Sequence, residues 1–336
     1  MEVTFAGELT RAFRVDETSQ VGQARREAAA LAQTLAFDEA ACGRVALVAT
    51  ELATNMVKHG RGGCLQLSRV ATREGMGVEI CAIDDGPGFA LEDGLRDGYS
   101  TVGTPGTGLG AIQRQAQVLD AYSDSKGAIV MARLFAQQRA ELDLPYGAVR
   151  VPLHNETVCG DAWQLAIREQ RATVVLIDGL GHGPDAADAA DVGTRAAAAA
   201  SGEPGELIAQ LHAGMSGTRG GAAAVMQFDS RTGQVCFAGV GNIVASLCDG
   251  DGMRGMPSHP GIVGVQFRKA QPFDFPNAAG KLLVMHSDGL QTRWNLRDHP
   301  ALLARHPRIV AAVLLRDYAR GRDDACVFVM RLGGMQ

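Results

Sequence analysis

Four acidic residues in the second half of the chain stand at the ends of apolar segments, where their carboxylates could together bind metal ions. The segments CGDAW, VVLIDGLGHG, VMHSDGL and GRDDACVFVM supply Asp161, Asp178, Asp288 and Asp323. Hard carboxylate oxygens without paired cysteine or histidine ligands favour Mg²⁺ or Mn²⁺ over zinc. Two such ions can activate a water and clamp a phosphoryl group for in-line attack. One Asp-Gly pair is usually only a turn, but the four segments together predict two-metal phosphoester chemistry.

The segment TELATNMVKH, residues 50–59, carries polar side chains that could hold Mg²⁺ and move a proton. Glu51, Asn55 and either Lys58 or His59 are spaced at i, i+4 and i+7 or i+8, which places them on one face of a helix. An asparagine oxygen suits a hydrated Mg²⁺ ion, and Glu51 could accept a proton from an attacking hydroxyl or water. Taken alone, this pattern is more often a solvated helix face.

Two glycine-containing segments could bind a nucleotide. In IDDGPGF, residues 83–89, Asp84 could accept the exocyclic amine of an adenine, while Gly86 and Gly88 let the base pack against the backbone. The segment GTPGTGLGAI, residues 103–112, leads into a helix whose first N–H groups could hold phosphates. Its spacing matches neither a Walker A loop nor a dinucleotide fingerprint.

The predicted elements divide the chain into two domains, over residues 1–138 and 145–334. The first domain is predicted as an α+β sandwich with one sheet and helices on one face. Its expected elements are a strand over residues 1–15, helices over 21–36, 38–60 and 109–119, strands over 64–72 and 78–84, and a last strand pair that ends near residue 135. Residues 136–145 are the candidate linker, with a strand extension or a short helix as alternatives. The second domain is predicted as two packed sheets flanked by helices.

Charge and composition exclude several classes of function. The net charge of −5 comes without a basic stripe or tail, so no nucleic-acid partner is expected. No apolar run approaches the ~20 residues that span a bilayer, and the first residues do not form a signal peptide, so no membrane association is expected. The seven cysteines occur singly, which favours buried reduced thiols and a cytoplasmic location.

In order and spacing, the three N-terminal segments resemble the GHKL (Bergerat) ATPase fold, an α/β sandwich, and within it the serine kinases of the RsbT type. The resemblance covers about residues 5–135. It implies that Asn55 holds Mg²⁺, that Asp84 binds the adenine of ATP, and that Glu51 is the candidate base. The remaining cofactor-binding residues implied are Lys58, Gly86, Gly88, Gly106, Thr107, Gly108, Leu109 and Gly110.

The C-terminal segments resemble the SpoIIE-type branch of the 2C-class phosphatases, and within it the small RsbX-like members. The resemblance spans about residues 145–333 and implies an αββα sandwich with two Mn²⁺ or Mg²⁺ ions. The implied ligands are Asp178, the carbonyl of Gly179, Asp288, Asp323 (preferred to Asp324 as the first of its pair) and Asp161, directly or through a water. His182 is either a proton donor to the leaving group or a structural turn residue, and Asn242 is a weaker candidate for a phosphate or water contact. Neither Arg150 nor Arg168 matches the phosphate-gripping arginine of larger relatives.

Together the two resemblances imply a bacterial stress-signalling switch. The C-terminal domain would remove phosphate from serine or threonine of a STAS-domain regulator, and the N-terminal domain would bind Mg·ATP and phosphorylate the same or a related partner. The alternative is an N-terminal domain that binds ATP without turnover and regulates the phosphatase by sequestering a partner. The resemblance also admits a sigma factor as a partner and a homodimer as the assembled form.

Overall fold

The first strand of the chain belongs to the C-terminal part of the fold. The computed structural model describes residues 2–88, 108–154 and 156–333. It divides into an N-terminal unit, Thr10–Leu144, and a C-terminal unit that joins Met1–Leu9 to Pro145–Gln336. Strand β1 (Glu2–Ala6) pairs antiparallel with residues 164–168 of the C-terminal unit, whereas the predicted first domain began at residue 1. Alternation of side chains specifies a strand but not the sheet that it joins.

The N-terminal unit packs helices against one face of an antiparallel sheet with the strand order β2-β3-β4-β6-β5. Asp38 caps the long second helix by accepting a hydrogen bond from the amide of Ala41 at 2.7 Å. Val45, Leu52 and Met56 of this helix are buried in the core. The described elements of the unit are β2 (Arg11–Arg14), α1 (Thr18–Thr34), α2 (Glu39–His59), β3 (Gly63–Thr72), β4 (Gly75–Asp84), α3 (Gly108–Gln115), β5 (Val118–Asp124) and β6 (Gly127–Phe135).

Helix α3 is shorter than the sequence predicts, and the candidate linker over residues 136–145 contains a short helix. The helix predicted up to Leu119 ends at Gln115, because the backbone of residues 118–124 pairs with β6 instead. The candidate linker contains a short 3₁₀ helix, Ala140–Leu142, whose Leu142 side chain is buried. The short-helix alternative for the linker is therefore the one that the structure shows.

A buried ion pair lies beside this linker. Arg133 and Glu79 are fully or almost fully buried, with 2.8 Å between a guanidinium nitrogen and a carboxylate oxygen. Arg133 also lies 2.7 Å from Asp143 and donates to the carbonyl of Leu144. Because a buried charge is unfavourable without a partner, these contacts fix residues 143–144 against the sheet.

The C-terminal unit is two stacked antiparallel sheets with helices outside them, which confirms the predicted fold class. Trp163 packs between the sheets, with its ring centroid 5.1 Å from that of Phe328. The strand orders are β1-β8-β9-β10-β11-β16 and β13-β12-β17-β18-β7. The elements after β1 are β7 (Tyr146–Val151), β8 (Asp161–Arg168), β9 (Arg171–Gly179), α4 (Pro184–Ala199), α5 (Pro204–Gly214), β10 (Gly221–Asp229), β11 (Gln234–Val240), β12 (Val244–Asp249), β13 (Gly252–Met256), β14 (Gly261–Ile262), β15 (Gln266–Phe267), β16 (Phe273–Phe275), β17 (Leu282–His286), α6 (Pro307–Tyr318) and β18 (Ala325–Arg331).

The helices of this unit cover the outer faces of both sheets. Helices α4 and α5 contribute alanines and leucines to the core outside the six-stranded sheet. Helix α6 lies on the five-stranded sheet, where an added Cβ at Gly147 would stand 2.2 Å from the Cα of Arg308. Among the described residues, no helix combines the length and apolar character that crossing a bilayer requires.

Candidate functional site

Neighbouring strands bring Asp161 and Asp178 directly opposite each other. Asp161 begins β8 and faces Asp178 in the antiparallel register of β8 with β9. The amide of Gly179 donates to the carbonyl of Gly160 at 2.8 Å, which closes the end of the pair.

The second sheet supplies the other two aspartates. Asp288 follows β17, and Asp323 precedes β18, which is the neighbour of β17 in the sheet. The side-chain amide of Asn242 donates to Oδ2 of Asp288 at 2.8 Å. The charges of Asp288 and Asp323 both raise the pKa of Asp178, so the three carboxylates share one electrostatic environment. The structure therefore assembles all four predicted aspartates at one end of the sandwich.

Burial and mutual repulsion perturb these carboxyl groups strongly. Burial first, and then the charges of Asp288 and Asp323, raise the pKa of Asp178 to about 7. Burial and the charge of Asp178 raise the pKa of Asp161 well above its ordinary value. In addition, Oδ2 of Asp178 is buried and accepts no hydrogen bond from the described residues. Divalent cations would satisfy that oxygen and neutralise the cluster, so the residues present fit a metal centre.

The side chains beside the aspartates hold the cluster in place. The Ser287 hydroxyl donates to Oδ2 of Asp161 at 2.6 Å and accepts from the amide of Cys326 at 3.0 Å. Asp324 is 2% exposed, and its two oxygens accept from the amides of Leu153 and Gly160, each at 2.7 Å. Because both oxygens of Asp324 bind backbone amides, Asp323 is the better candidate ligand of this pair.

Close backbone approach explains two glycines at the site. A Cβ added to Gly221 would lie 2.2 Å from the carbonyl oxygen of Asp178. One added to Gly289 would lie 2.0 Å from the carbonyl oxygen of Asp324. Both distances are far inside van der Waals contact, so only glycine lets these strand ends meet.

Two exposed side chains border the loop that follows Asp178. Nδ1 of His182 lies 3.3 Å from a carboxylate oxygen of Glu156, and the His182 side chain is 53% exposed. The guanidinium of Arg219 lies 3.4 Å from the carbonyl oxygen of Leu180 and 3.1 Å from Asp185. Arg219 was not singled out from the sequence, because only the fold brings it to this loop.

Arg150 and Arg168, the two arginines that the sequence suggested for comparison with a phosphate-binding arginine, lie in other environments. Arg150 is almost buried, and its guanidinium donates to the carbonyls of Gly7 and Cys159 at 3.1 and 3.0 Å. Arg168 ends β8, at the opposite end of that strand from Asp161. Arg219, by contrast, lies against the loop that follows Asp178.

In the N-terminal unit, Asp84 is fixed against the end of helix α2. Its Oδ1 accepts from the amides of Gly86 and Ala128 at 2.9 and 3.0 Å. A Cβ at Gly60, the residue after α2, would stand 2.5 Å from the Cβ of Asp84. Gly88 has a φ of 75°, and a Cβ there would meet the Ser123 hydroxyl at 2.3 Å. Glycines thus allow the close approach of the loop, the helix end and the sheet.

The remaining predicted residues of this site lie on two helices or outside the described part. Asn55 and Glu51 are half-buried on α2, about one and two turns before the helix end, and Lys58 is exposed in the last turn. Gly108, Leu109 and Gly110 form the first turn of α3, which packs against α2. Gly106 and Thr107 lie outside the described residues.

Two family patterns match the chain. The family described as "Histidine kinase-like ATPase domain" matches residues 14–134. The family described as "Stage II sporulation protein E (SpoIIE)" matches residues 168–333. The two matched ranges contain every candidate site residue except Asp161, which precedes the second range by seven positions.

Individual proteins add to this similarity. The serine/threonine-protein kinase RsbT of Bacillus subtilis (strain 168) is 32% identical over 94 residues, which are 28% of this chain and 68% of that protein. A solved structure from work on the bacterial stressosome, described as a modular system adapted to control secondary messenger signalling, is 28% identical with a TM-score of 0.51. That match covers 55% of this chain and 98% of the other. A structure of RsbX in complex with magnesium is 18% identical with a TM-score of 0.49, covering 55% of this chain and 93% of RsbX.

Proposed function

Because the chain belongs through its N-terminal domain to the RsbT family of histidine kinase-like ATPases and matches the SpoIIE family over residues 168–333, we propose that it sets the phosphorylation state of a regulatory protein. The C-terminal domain hydrolyses phosphoserine or phosphothreonine on a STAS-domain regulator with two divalent cations. The N-terminal domain binds Mg·ATP and phosphorylates the same or a related partner.

The environment of Asp178 is the observation that carries the phosphatase proposal. Its carboxylate has a buried, unpaired oxygen and a pKa raised to about 7 by burial and by its acidic neighbours. A site that is merely structural would pair such an oxygen, because an unsatisfied buried acceptor costs about 1–3 kcal/mol. Concentrated negative charge of this kind is what a cation-binding phosphatase site requires.

Each residue of the site has a role in this proposal. The cations would be held by Asp178, the Gly179 carbonyl, Asp288, Asp323 and, directly or through a water, Asp161, and Mn²⁺ and Mg²⁺ both suit this oxygen set. When bound, they supply activation of the attacking water and neutralisation of the phosphoryl charge.

The supporting side chains orient these carboxylates. Ser287 fixes the rotamer of Asp161, and Asn242 fixes that of Asp288, through the hydrogen bonds that they donate. His182 borders the site beside Glu156 and is the candidate proton donor to the leaving serine or threonine oxygen.

Arg219 is the candidate contact for the phosphoprotein. Its guanidinium is about half exposed and lies against the loop of residues 179–183, within 3.4 Å of the Leu180 carbonyl. Leu180 is itself 52% exposed and Val265, beside Gly220, is 56% exposed. A cation next to two exposed apolar side chains suits a phosphorylated segment that also presents an apolar residue.

The N-terminal proposal rests on the position of Asp84 beside helix α2. Asp84 binds the adenine amine, Asn55 holds Mg²⁺, and Glu51 acts as the base toward the partner's hydroxyl. The backbone amides at the start of α3 contribute to phosphate binding. The alternative is a non-catalytic module that binds ATP and sequesters a STAS-domain protein or a sigma factor, thereby regulating the phosphatase.

The phosphatase proposal is tested with a phosphorylated STAS-domain protein and Mn²⁺. Asp178→Asn should lower the rate of phosphate release at least about 100-fold, because it removes a central carboxylate. Asp188→Asn is the matched control, since Asp188 is exposed on α4 and outside the cluster. Equal rates for the wild type and Asp178→Asn would overturn the site.

The kinase proposal is tested by transfer of the γ-phosphate of ATP to the unphosphorylated partner, in Asp178→Asn protein so that hydrolysis does not mask transfer. Glu51→Gln should reduce transfer at least about 100-fold while ATP still binds. Glu39→Gln, an exposed change in the first turn of the same helix, is the control. Undiminished transfer by Glu51→Gln would show that Glu51 is not the base. If the protein binds ATP but transfers no phosphate, with Glu51 present or replaced, the N-terminal domain is the non-catalytic binding module instead.

A further inference from the structure

Strand β1 and Gly7 after it lie outside both family matches, which begin at residues 14 and 168, yet they belong to the C-terminal unit. Residues 2–6 pair antiparallel with residues 164–168 of β8. Past the last of these pairs, the amide of Gly7 donates to the carbonyl of Trp163 at 2.8 Å. The pairing therefore reaches to within two residues of Asp161, the first residue of β8 and a candidate metal ligand.

The buried side chain of Arg150, on β7, connects this segment to the chain just before Asp161. Arg150 is 9% exposed, and its guanidinium donates to the carbonyl of Gly7 at 3.1 Å and to that of Cys159 at 3.0 Å. It also lies 3.7 Å from a carboxylate oxygen of Asp191 on α4, which offsets its charge. Because a planar guanidinium presents its N–H groups in fixed directions, Arg150 sets the position of the Cys159 carbonyl relative to that of Gly7.

Side-chain packing between β1 and β8 acts on the other side of Asp161. Alternate residues of a strand share a face, so Trp163 projects from the same face of β8 as Asp161. The ring of Phe5 meets that of Trp163 edge to face, with the centroids 5.5 Å apart. A Cβ added to Gly7 would stand 2.0 Å from the indole. Strand β1 and Gly7 thus constrain the chain both before and after Asp161.

The chain enters and leaves the N-terminal unit through the two strands that Arg150 joins. It runs from β1 into Thr10 and returns from Leu144 into β7, so the N-terminal unit is an insertion in the sequence of the C-terminal unit. Ser287 fixes the side chain of Asp161, but the backbone before Asp161 needs a separate support. We propose that Arg150 is a positioning residue that holds the start of β8 against β1, which makes the strand before the ATPase domain a functional part of the metal centre. This inference rests on the proposed function, since it takes Asp161 as a metal ligand.

Calorimetric titration of the full chain with Mn²⁺, without nucleotide, tests this role. Arg150→Met keeps the length of the side chain but donates no hydrogen bond, so the segment before Asp161 is released from β1. It should lower the Mn²⁺ affinity at least about tenfold, as the loss of a supporting contact does in other metal sites, and Arg150→Lys should lower it less. Arg168→Met is the control, since Arg168 is exposed at the far end of β8, and it should stay within twofold of the wild type.

The number of ions bound separates positioning from a loss of folded protein. Loss of positioning lowers the affinity at an unchanged number of ions per chain, because the four carboxylates remain. Partial unfolding lowers that number at unchanged affinity. A folded Arg150→Met protein with the Mn²⁺ affinity of the wild type would overturn the inference, as would an Arg150→Met protein that only binds fewer ions.

Gly7→Ala tests the same connection from the side of β1, because its methyl group would displace the strand from Trp163. If Arg150→Met does not fold, Gly7→Ala decides the question and should lower the Mn²⁺ affinity at least about fivefold. Gly255→Ala is its control, since an added Cβ there has nothing within 4 Å.

Asp178→Asn distinguishes a failure of this inference from a failure of the proposed function. If Asp178→Asn abolishes Mn²⁺ binding while Arg150→Met and Gly7→Ala leave it within twofold of the wild type, the metal site stands and the role of Arg150 is overturned. If Asp178→Asn leaves Mn²⁺ binding unchanged, the aspartate cluster is not the metal site, and the proposed phosphatase and this inference are overturned together.

Discussion

Replacing Ser287 by alanine removes the hydroxyl that connects the two sheets beneath the aspartate cluster. In the wild type this hydroxyl donates to Asp161 at 2.6 Å and accepts from the Cys326 amide at 3.0 Å. Ser287 and Asp161 are both at least 98% buried. An intramolecular hydrogen bond contributes about 0.5–1.5 kcal/mol, and a buried N–H left unpaired costs about 1–3 kcal/mol. We expect Ser287→Ala to reduce the free energy of unfolding by about 2–4 kcal/mol.

The same substitution should weaken metal binding, because Asp161 loses the group that holds its rotamer. Loss of such a supporting hydrogen bond lowers metal affinity by about 10–100-fold. Calorimetric titration with Mn²⁺, without nucleotide, measures this change alongside urea unfolding. Ser230→Ala is the matched control, since its hydroxyl donates to the Gln170 carbonyl at 3.0 Å and contacts none of the four aspartates. A folded Ser287→Ala protein that binds Mn²⁺ within twofold of the wild type would refute the role of Ser287 and weaken that of Asp161.

Three further predictions concern other parts of the chain. Arg219→Ala should raise the KM for a phosphoprotein about tenfold, with Arg219→Lys intermediate, because a guanidinium–phosphate contact is lost; an unchanged KM would exclude Arg219 from binding. Glu79→Ala should lower the free energy of unfolding of the N-terminal unit by about 3 kcal/mol in urea titrations, since Arg133 loses its fully buried partner. The pKa of Cys248 is raised to about 12 by burial and by Asp249, so its thiol is almost entirely neutral at pH 8. Cys248 should react with iodoacetamide about 1,000-fold more slowly in the folded protein than in the urea-unfolded chain, as measured by mass spectrometry. Equal rates would contradict the burial of this thiol beside Asp249.

The sequence was sufficient for the features that depend on local pattern. Acidic residues after apolar runs indicated the four aspartates, and the 3.6-residue spacing and Asp38 indicated helix α2. The fold class followed from the order of elements and from the two family resemblances. The structure adds that these aspartates meet at one end of the sandwich, which no single segment could specify.

Features that depend on contacts between distant segments could not be predicted in the same way. The partner sheet of β1 depends on pairing across more than 150 residues, and its alternation is compatible with either unit. Helix α3 ends at Gln115 because residues 118–124 pair with β6 and form a strand of the sheet. Arg219 reaches the loop after Asp178 only because β10 lies beside β9. Tertiary pairing, rather than local propensity, decided each of these positions.

Anomalous diffraction at the manganese absorption edge, from crystals grown with Mn²⁺, tests the aspartate cluster most directly. The proposed phosphatase site predicts two peaks among the carboxylates of Asp161, Asp178, Asp288 and Asp323, about 3.5–4 Å apart as in other two-metal sites. Well-ordered carboxylates with no peak between them, at millimolar Mn²⁺ and with peaks elsewhere on the chain, would contradict the assignment of these residues as metal ligands.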